Sequence, residues 1–158
     1  AVPLFHFQEG IPMEIRPMCI DDYEALYQLW LSCPGMGLND LDDSREGIAA
    51  FLERNPATCF VAAEGETIAG CILVGTDGRR AYIYHTAVHP GLQRQGLGRQ
   101  LVERALQAVG ELGIHKAALV VFARNQQGNA FWEKLGFTLR TDILYRNHAL
   151  AEMTRIDT

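Results

Sequence analysis

The six residues Gln93-Arg94-Gln95-Gly96-Leu97-Gly98 separate a strand-like stretch from a helix-like stretch. The residues before them, Arg80 to His89, are rich in Tyr, Ile and Val, which favours a strand. Gly96 and Gly98 allow the backbone N–H groups of a helix N-terminus to approach an anion closely. The loop therefore predicts either a phosphate site or a tight turn without a ligand. Apolar residues then recur at helical spacing until the helix stop Gly113: Leu97, Leu101, Val102, Ala105, Leu106, Val109 and Leu112.

Three side chains, those of Gln93, Arg94 and Arg99, add hydrogen-bond donors to this loop. Other phosphate-binding motifs fit the sequence less well. No Gly-Lys-Ser/Thr follows, as a P-loop requires, and Leu101 or its neighbours stand where the dinucleotide fingerprint has its third glycine. Nucleotide hydrolysis and hydride transfer are therefore disfavoured.

The sequence around the loop resembles the GNAT superfamily of acetyl-CoA-dependent N-acetyltransferases. The pieces of the family pattern occur in order: a strand ending at Val88, the loop Gln93 to Gly98, Asn125, and the run from Phe131 to Phe137, which contains Glu-Lys-x-Gly-Phe. This resemblance extends from about Arg80 to Phe137. It implies a mixed α/β sheet in which a splayed pair of strands holds acetyl-CoA, the acetyl donor.

The resemblance also implies which residues bind the cofactor. The pantetheine arm would lie between the backbone of Val88 and the side chain of Asn125, and the Val88 N–H would polarise the thioester carbonyl. Asn125 can equally be a helix cap or turn residue. Trp132 stands next to the thiol, where many relatives carry a tyrosine acid, so that acid is missing here. The pyrophosphate would bind the amides of Gln93, Arg94, Gln95, Gly96, Leu97, Gly98 and Arg99.

Proton transfer is the second role that the resemblance assigns. Related enzymes often carry a Glu or His base on the strand before Val88, at positions that are Tyr84 and Tyr82 here. Both would share a face with Val88 if the strand were regular. Tyr84 is the first candidate to face the acetyl group, with Tyr82 beside it and His85 as the nearest conventional base. Since a tyrosine pKa of about 10 makes a poor base, water-relayed deprotonation is equally consistent. Half-buried strand aromatics and a satisfied histidine are the purely structural alternatives.

The element order is predicted as β-αα-βββ-α-β-α-β within one domain, residues 13–147. Residues 1–12 are interpreted as an extended arm or a cloning remnant, and residues 148–158 as a tail. Asp21 or Asp22 is expected to cap the first helix, and Asp43 or Ser44 the second. The strands are predicted at Met13 to Pro17, Thr58 to Glu64, Thr67 to Thr76, Arg80 to His89, Lys116 to Ala123, buried on both faces, and Phe137 to Tyr145. A short helix is predicted at Gln127 to Leu135.

Composition limits the class of protein. The 158 residues are 48% apolar and 21% charged, as in one ordinary globular domain. No apolar run approaches the roughly 20 residues that span a bilayer, so a cytoplasmic protein without a membrane partner is expected. The net charge of -5 argues against nucleic acid as the main partner. Neither disulfides nor a metal site are expected from the widely spaced Cys19, Cys33, Cys59 and Cys71.

These observations predict an N-acetyltransferase that acts on a primary amine of a small molecule. The alternatives are a non-catalytic acyl-CoA-binding module and an enzyme that acetylates a protein or peptide amine. Acetylation of ribosomal-protein N-termini is disfavoured because Val120 replaces a Glu of those relatives and Trp132 their Tyr. The carboxylates near Asn39, those of Asp40, Asp42 and Asp43, either attract a cationic amine or form a solvated helix start. The final strand and the arm could mediate a homodimer.

Overall fold

The structure is a computed structural model that describes residues 13–157, so the predicted arm 1–12 lies outside the described residues. Its centre is a five-stranded sheet of order β1-β2-β3-β4-β5. Strands β1 to β4 pair with one another in antiparallel order, whereas β5 runs parallel to β4. The predicted mixed sheet is confirmed. The strands are β1 Glu14–Pro17, β2 Phe60–Glu64, β3 Thr67–Thr76, β4 Ala81–Val88 and β5 Ala117–Leu119.

In the described part of the chain, four α-helices accompany the sheet: α1 Tyr23–Ser32, α2 Arg45–Arg54, α3 Leu97–Glu111 and α4 Gln126–Lys134. The cap predicted at Ser44 is confirmed, because its hydroxyl accepts a hydrogen bond from Gly47 N at 3.0 Å. Asp22 precedes α1, but its carboxylate binds the guanidinium of Arg16 at 2.8 and 2.9 Å rather than an amide of that helix. Within residues 13–157, no helix is long and apolar enough to cross a membrane.

Each face of the sheet is covered by its own helices. Helix α1 buries Leu26 and Trp30 and α2 buries Ile48 on one face, and α3 buries Leu101 and Val102 on the other. Full burial of one such side chain contributes about 1.5–3 kcal/mol, so the two clusters hold the sheet between them. The ends of β3 and β4 are therefore fixed from both sides.

The strands β4 and β5 pair over a short stretch only. Their register runs from Ala81 opposite Ala117 to Ile83 opposite Leu119, and no further. Beyond Ile83, β4 continues to Val88 while β5 has ended, so the last part of β4 borders an open gap. This gap, beside residues 84–88, separates β4 from the chain that follows β5, as expected for the splayed pair of strands that the resemblance implied.

A β-bulge interrupts β4 within this stretch. Ile72 lies opposite Thr86 and Val74 opposite Ile83, so two residues of β4, Tyr84 and His85, oppose one residue of β3. Such a bulge leaves two successive side chains on one side of the strand and shifts the alternation. The expectation that Tyr82 and Tyr84 share a face with Val88 is therefore wrong. The Tyr84 ring contacts Phe51 of α2, whereas Val88 packs on the α3 side.

Two predictions at the end of the chain need correction. The strand predicted at Lys116 to Ala123 and buried on both faces is only Ala117–Leu119, and Val120 is 57% exposed. The strand predicted at Phe137 to Tyr145 is not formed. A strand needs a partner with which to share hydrogen bonds, and the three-residue β5 offers a very short edge. Alternating apolar residues therefore remain exposed there, including Leu139, Ile143 and Tyr145.

Candidate functional site

The glycine loop lies at the N-terminus of α3; its residues 93–96 are exposed, whereas Leu97 is buried. Gly96 has φ +83° and Arg94 has φ +64°, so two residues of the loop adopt the left-handed conformation. The first helical hydrogen bond runs from Gln100 N to Gly96 O at 3.1 Å. The N–H groups of residues 97–99 therefore precede the helical ladder and can bind an anion. A left-handed non-glycine residue such as Arg94 costs free energy, which is common at ligand-binding loops.

Gly98 joins the loop to two other elements. A Cβ atom on Gly98 would lie 3.3 Å from Cε2 and Cζ of Phe131 in α4, and 3.6 Å from Cγ2 of Val88. The absence of a side chain thus lets α3, α4 and the end of β4 meet at one point. Three of the pieces that the resemblance singled out, Val88, the glycine loop and the run that starts at Phe131, therefore lie together in the fold.

The backbone of Val88 faces the gap. Val88 lies opposite Gly70, and the adjacent hydrogen bond runs from His89 N to Ala69 O at 2.7 Å. In an antiparallel ladder this makes Val88 and Gly70 a non-hydrogen-bonded pair, so the N–H and C=O of Val88 point away from β3. The carbonyl accepts hydrogen bonds from Gln93 Nε2 at 3.1 Å and Cys33 Sγ at 3.5 Å. The Val88 N–H points into the gap, as its predicted role requires.

Asn125 and Trp132 belong to α4. The side-chain oxygen of Asn125 accepts a hydrogen bond from Gly128 N at 2.8 Å, so Asn125 caps this helix. That was the alternative interpretation, and its contact with the cofactor stays a prediction. The Trp132 ring lies between those of Phe131 and Phe137, at centroid distances of 5.0 and 5.1 Å. Trp132 therefore helps to hold α4 in place.

Of the predicted charged donors, Arg94 and Arg99 differ in their surroundings. Arg99 Nε donates to Glu103 Oε1 at 2.9 Å, one helical turn along α3, so part of its charge is compensated. This pair is exposed and contributes little to stability. Arg94 lies in the loop itself and is exposed. Arg94 is the better placed of the two to meet an anion.

Tyr82 and Tyr84 form an aromatic pair on the α2 side of β4. Their ring centroids are 4.8 Å apart, and Tyr84 is 49% exposed. Burial raises the pKa of both phenols, and Tyr145 raises it further. Both hydroxyls are therefore protonated at neutral pH and can donate hydrogen bonds, but neither is suited to take a proton from an amine.

His85 is held by a buried carboxylate. Its Nε2 lies 2.5 Å from Asp43 Oδ1, and the side chains of His85 and Asp43 are 12% and 5% exposed. The His85 and Trp30 rings are T-shaped to each other, with their centroids 5.0 Å apart. Since a carboxylate only accepts hydrogen bonds, the proton sits on Nε2 and a neutral imidazole keeps its lone pair on Nδ1. Among the described residues, no hydrogen bond to the Nδ1 of His85 is formed, so its lone pair is available.

Asp43 is the residue that sequence reasoning missed in this role. The sequence predicted it as a helix cap or as one of several acidic charges near the acceptor. Its contact with His85 joins residues 42 positions apart and depends on the bulge in β4. The residues around His85 carry no sequence signal for this pair, because the contact depends on the strand register.

The profile of the Acetyltransferase (GNAT) family matches residues 23–137. The chain belongs to this family. The resemblance inferred from Arg80 to Phe137 is thereby confirmed over a longer stretch, and the GNAT protein described here is an acetyltransferase. An acetyltransferase of Sodalis glossinidius is 29% identical over 140 residues, which are 89% of this chain and 97% of that protein.

Solved structures share this GNAT fold. The PaiA N-acetyltransferase of Thermoplasma acidophilum, solved with coenzyme A, has a TM-score of 0.71 at 21% identity and covers 82% of this chain and 91% of its own. The ribosomal-protein-S18-alanine N-acetyltransferase of Escherichia coli has a TM-score of 0.69 at 26% identity, covering 82% and 80%. An aminoglycoside acetyltransferase from an uncultured soil sample has a TM-score of 0.66 at 21% identity, covering 90% and 99%. The acceptors named for these proteins differ, so the fold alone does not select one.

Proposed function

We propose that this GNAT protein transfers the acetyl group of acetyl-CoA to a primary amine of a small molecule. The observation that carries the proposal is the corner formed by the gap beside β4 and the N-terminus of α3. There the Val88 N–H points away from β3, and the free amides of residues 97–99 are near, since a Cβ on Gly98 would lie 3.6 Å from Cγ2 of Val88. A thioester with a pyrophosphate needs both a donor for its carbonyl and an anion site.

The residues around this corner fit coenzyme A. The amides of residues 93–99 and the Arg94 guanidinium would hold the pyrophosphate, and the Val88 backbone would pair with the pantetheine arm. Asn125 retains its Nδ2 donor after capping α4, so it can act from the other side. Trp132 would border the thiol. When bound, acetyl-CoA supplies an activated carbonyl carbon that an amine can attack.

His85 is the residue best suited to accept the proton that the amine must lose. Its Nδ1 keeps a lone pair, and Asp43 fixes the ring through Nε2. General bases of this kind typically contribute about 100-fold to 10,000-fold in rate. Tyr84 and Tyr82 would donate hydrogen bonds to the acceptor instead of acting as bases. The Val88 N–H would stabilise negative charge that develops on the carbonyl oxygen.

A cationic small molecule is favoured as the acceptor by the surroundings of Tyr84. Asp42 is close enough to raise the pKa of the Tyr84 phenol, and it lies on the exposed loop between α1 and α2. An ammonium group near Tyr84 would therefore meet a carboxylate. Acetylation of a protein N-terminus receives less support, because Val120 and Trp132 replace the Glu and Tyr of the enzymes that perform it.

A non-catalytic acyl-CoA-binding module is the second candidate. It is favoured by Trp132, since an indole cannot protonate a leaving thiolate as a tyrosine does. In that case the protein would bind acetyl-CoA but acetylate no amine.

The deciding experiment measures thiol release from acetyl-CoA with a panel of polyamines, aminoglycosides, lysine-like metabolites and N-terminal peptides. Turnover with a small amine, lowered by about 100-fold or more in His85→Gln, is expected. Turnover with peptides alone would overturn the substrate class. Thermal unfolding with coenzyme A at about 100 times its Kd should show roughly 2.7 kcal/mol of added stability. Added stability without turnover would identify the binding module, and no added stability would overturn the proposal.

A further inference from the structure

Residues 154–157, here called the clamp segment, lie against the loop between α1 and α2. Asp40 N donates to Thr154 O at 3.0 Å, and Thr154 N donates to Asp40 Oδ1 at 2.6 Å. Ile156 N donates to Leu38 O at 3.0 Å, and Asn39 forms an antiparallel bridge with Arg155. Backbone contacts thus align the clamp segment with residues 38–40 of the loop.

Asp157 adds a side-chain contact to this alignment. Its Oδ1 accepts a hydrogen bond from Leu38 N at 2.5 Å and its Oδ2 one from Gly37 N at 3.2 Å. Gly37 has φ +75°, a conformation that a glycine adopts without strain, and it therefore adds flexibility to the loop. A carboxylate bound to two successive N–H groups restricts that flexibility, and charge-assisted bonds of this type are stronger than neutral ones.

The contacted loop leads directly to Asp43. Asn39 lies opposite Arg155, and its N–H donates a hydrogen bond to Asp43 Oδ2 at 2.8 Å. Asn39 Oδ1 accepts hydrogen bonds from Leu41 N and Asp42 N, which closes the turn between Asn39 and Asp43. The other oxygen of Asp43 binds His85. Both carboxylate oxygens of Asp43 are therefore used, one by the clamped loop and one by the histidine.

General packing of the loop does not account for these contacts. Leu38 is fully buried and a Cβ on Gly37 would lie 3.6 Å from the Phe122 ring, so apolar contacts already attach the loop to the domain. Apolar contacts are not directional, whereas the hydrogen bonds of the clamp segment fix the register of residues 37–40. That register sets where the Asn39 N–H, and with it the Asp43 carboxylate, is placed.

We propose that the clamp segment positions the Asp43–His85 pair, with Asp157 and Asp40 as positioning residues for proton transfer. The proposal rests on the proposed role of His85 as the base. Without the Asp157 carboxylate, the loop keeps its apolar anchor but loses the fixed register. Asp43 then no longer holds the proton of Nε2 in one place, and the lone pair on Nδ1 is no longer oriented.

The test compares Asp157→Ala with Asp142→Ala, a control that removes an exposed carboxylate paired with Arg140 at 2.7 Å. The first readout is the downfield proton resonance of the His85 Nε2–H, assigned by its loss in His85→Gln. We expect this resonance to disappear or broaden in Asp157→Ala and to remain in Asp142→Ala. We also expect kcat to fall by about 10-fold or more in Asp157→Ala, while KM for acetyl-CoA changes by less than about twofold. Asp157→Asn, which keeps one oxygen acceptor, should recover part of both.

An unchanged resonance together with kcat within about twofold of wild type in Asp157→Ala would overturn the proposal. If Asp157→Ala does not fold, Asp40→Ala removes the second contact of the clamp segment and is judged by the same two readouts. The resonance does not depend on turnover. A wild-type protein that acetylates no amine would therefore refute the proposed function, whereas the Nε2–H signal would still decide whether the clamp segment positions the pair.

Discussion

The two sides of the gap are built in different ways. On the proposed cofactor side, the loop at residues 93–98 and α4 lie within one stretch of sequence, and most of the expected donors are backbone N–H groups. On the proposed acceptor side, His85, Asp43 and Asp157 come from distant positions, and the contacts involve side chains. Backbone donors tolerate changes of side chain, whereas a side-chain relay fails when one member is replaced. The cofactor side can therefore stay constant while the acceptor side varies.

The largest effect that would separate the two sides is expected from His85→Gln. Loss of the proposed base should lower kcat by about 100-fold to 1,000-fold, because the amine then loses its proton to water. The affinity for coenzyme A, measured by calorimetry, should not change. His148→Gln, at an exposed position, is the matched control and should retain wild-type kcat. A kcat of His85→Gln within about threefold of wild type would show that another group takes the proton.

Gly98→Val should damage the cofactor side instead. Its side chain would enter the contact with Phe131 and Val88, where overpacking costs about 1–3 kcal/mol. We expect the Kd for coenzyme A to rise by about 10-fold while the His85 Nε2–H resonance is retained. Gly110→Ala is the control within the same helix, since a Cβ there meets nothing within 4 Å, and it should stabilise the protein slightly. Loss of the resonance in Gly98→Val would mean that the two sides are coupled.

The same contrast explains how much the sequence could predict. The glycine loop, α3 and the aromatic run of α4 follow local rules of spacing and glycine placement. The predicted turn and the two predicted helices are therefore present in the structure. The Asp43–His85 pair could not be predicted, because it requires the bulge that places Tyr84 and His85 opposite one residue of β3. The strand predicted at Phe137 to Tyr145 is wrong for a related reason. Alternation indicates a strand that could form, but a ladder also needs an available edge.

Arg94 allows charge and strain to be separated on the cofactor side. Both Arg94→Ala and Arg94→Gly remove the charge, so each should weaken coenzyme A binding by about three-fold to 10-fold, with less effect at high salt. Only glycine relieves the left-handed conformation at φ +64°. The free energy of unfolding of Arg94→Gly should therefore exceed that of Arg94→Ala by about 1 kcal/mol, measured by urea denaturation. Equal stabilities would show that the loop changes conformation in the alanine variant.

The smallest effect concerns Tyr84, on the acceptor side. Burial raises its pKa, followed by contributions of Tyr145 and Asp42, so the folded chain retains a proton that the unfolded chain loses above about pH 10. This contribution to stability is present below that pH and is lost as the pH rises through the raised pKa of the folded state. The urea midpoint of the wild type should therefore fall between about pH 9 and pH 11, and Tyr84→Phe should reduce that fall. The reduction should be small, because the side chain is 49% exposed and solvent screens its charge. An identical fall in both proteins would assign the alkaline loss to the other groups whose pKa burial raises, which are the phenols of Tyr23 and Tyr82 and the thiols of Cys33, Cys59 and Cys71. Tyr84 would then be free to meet the acceptor without a role in stability.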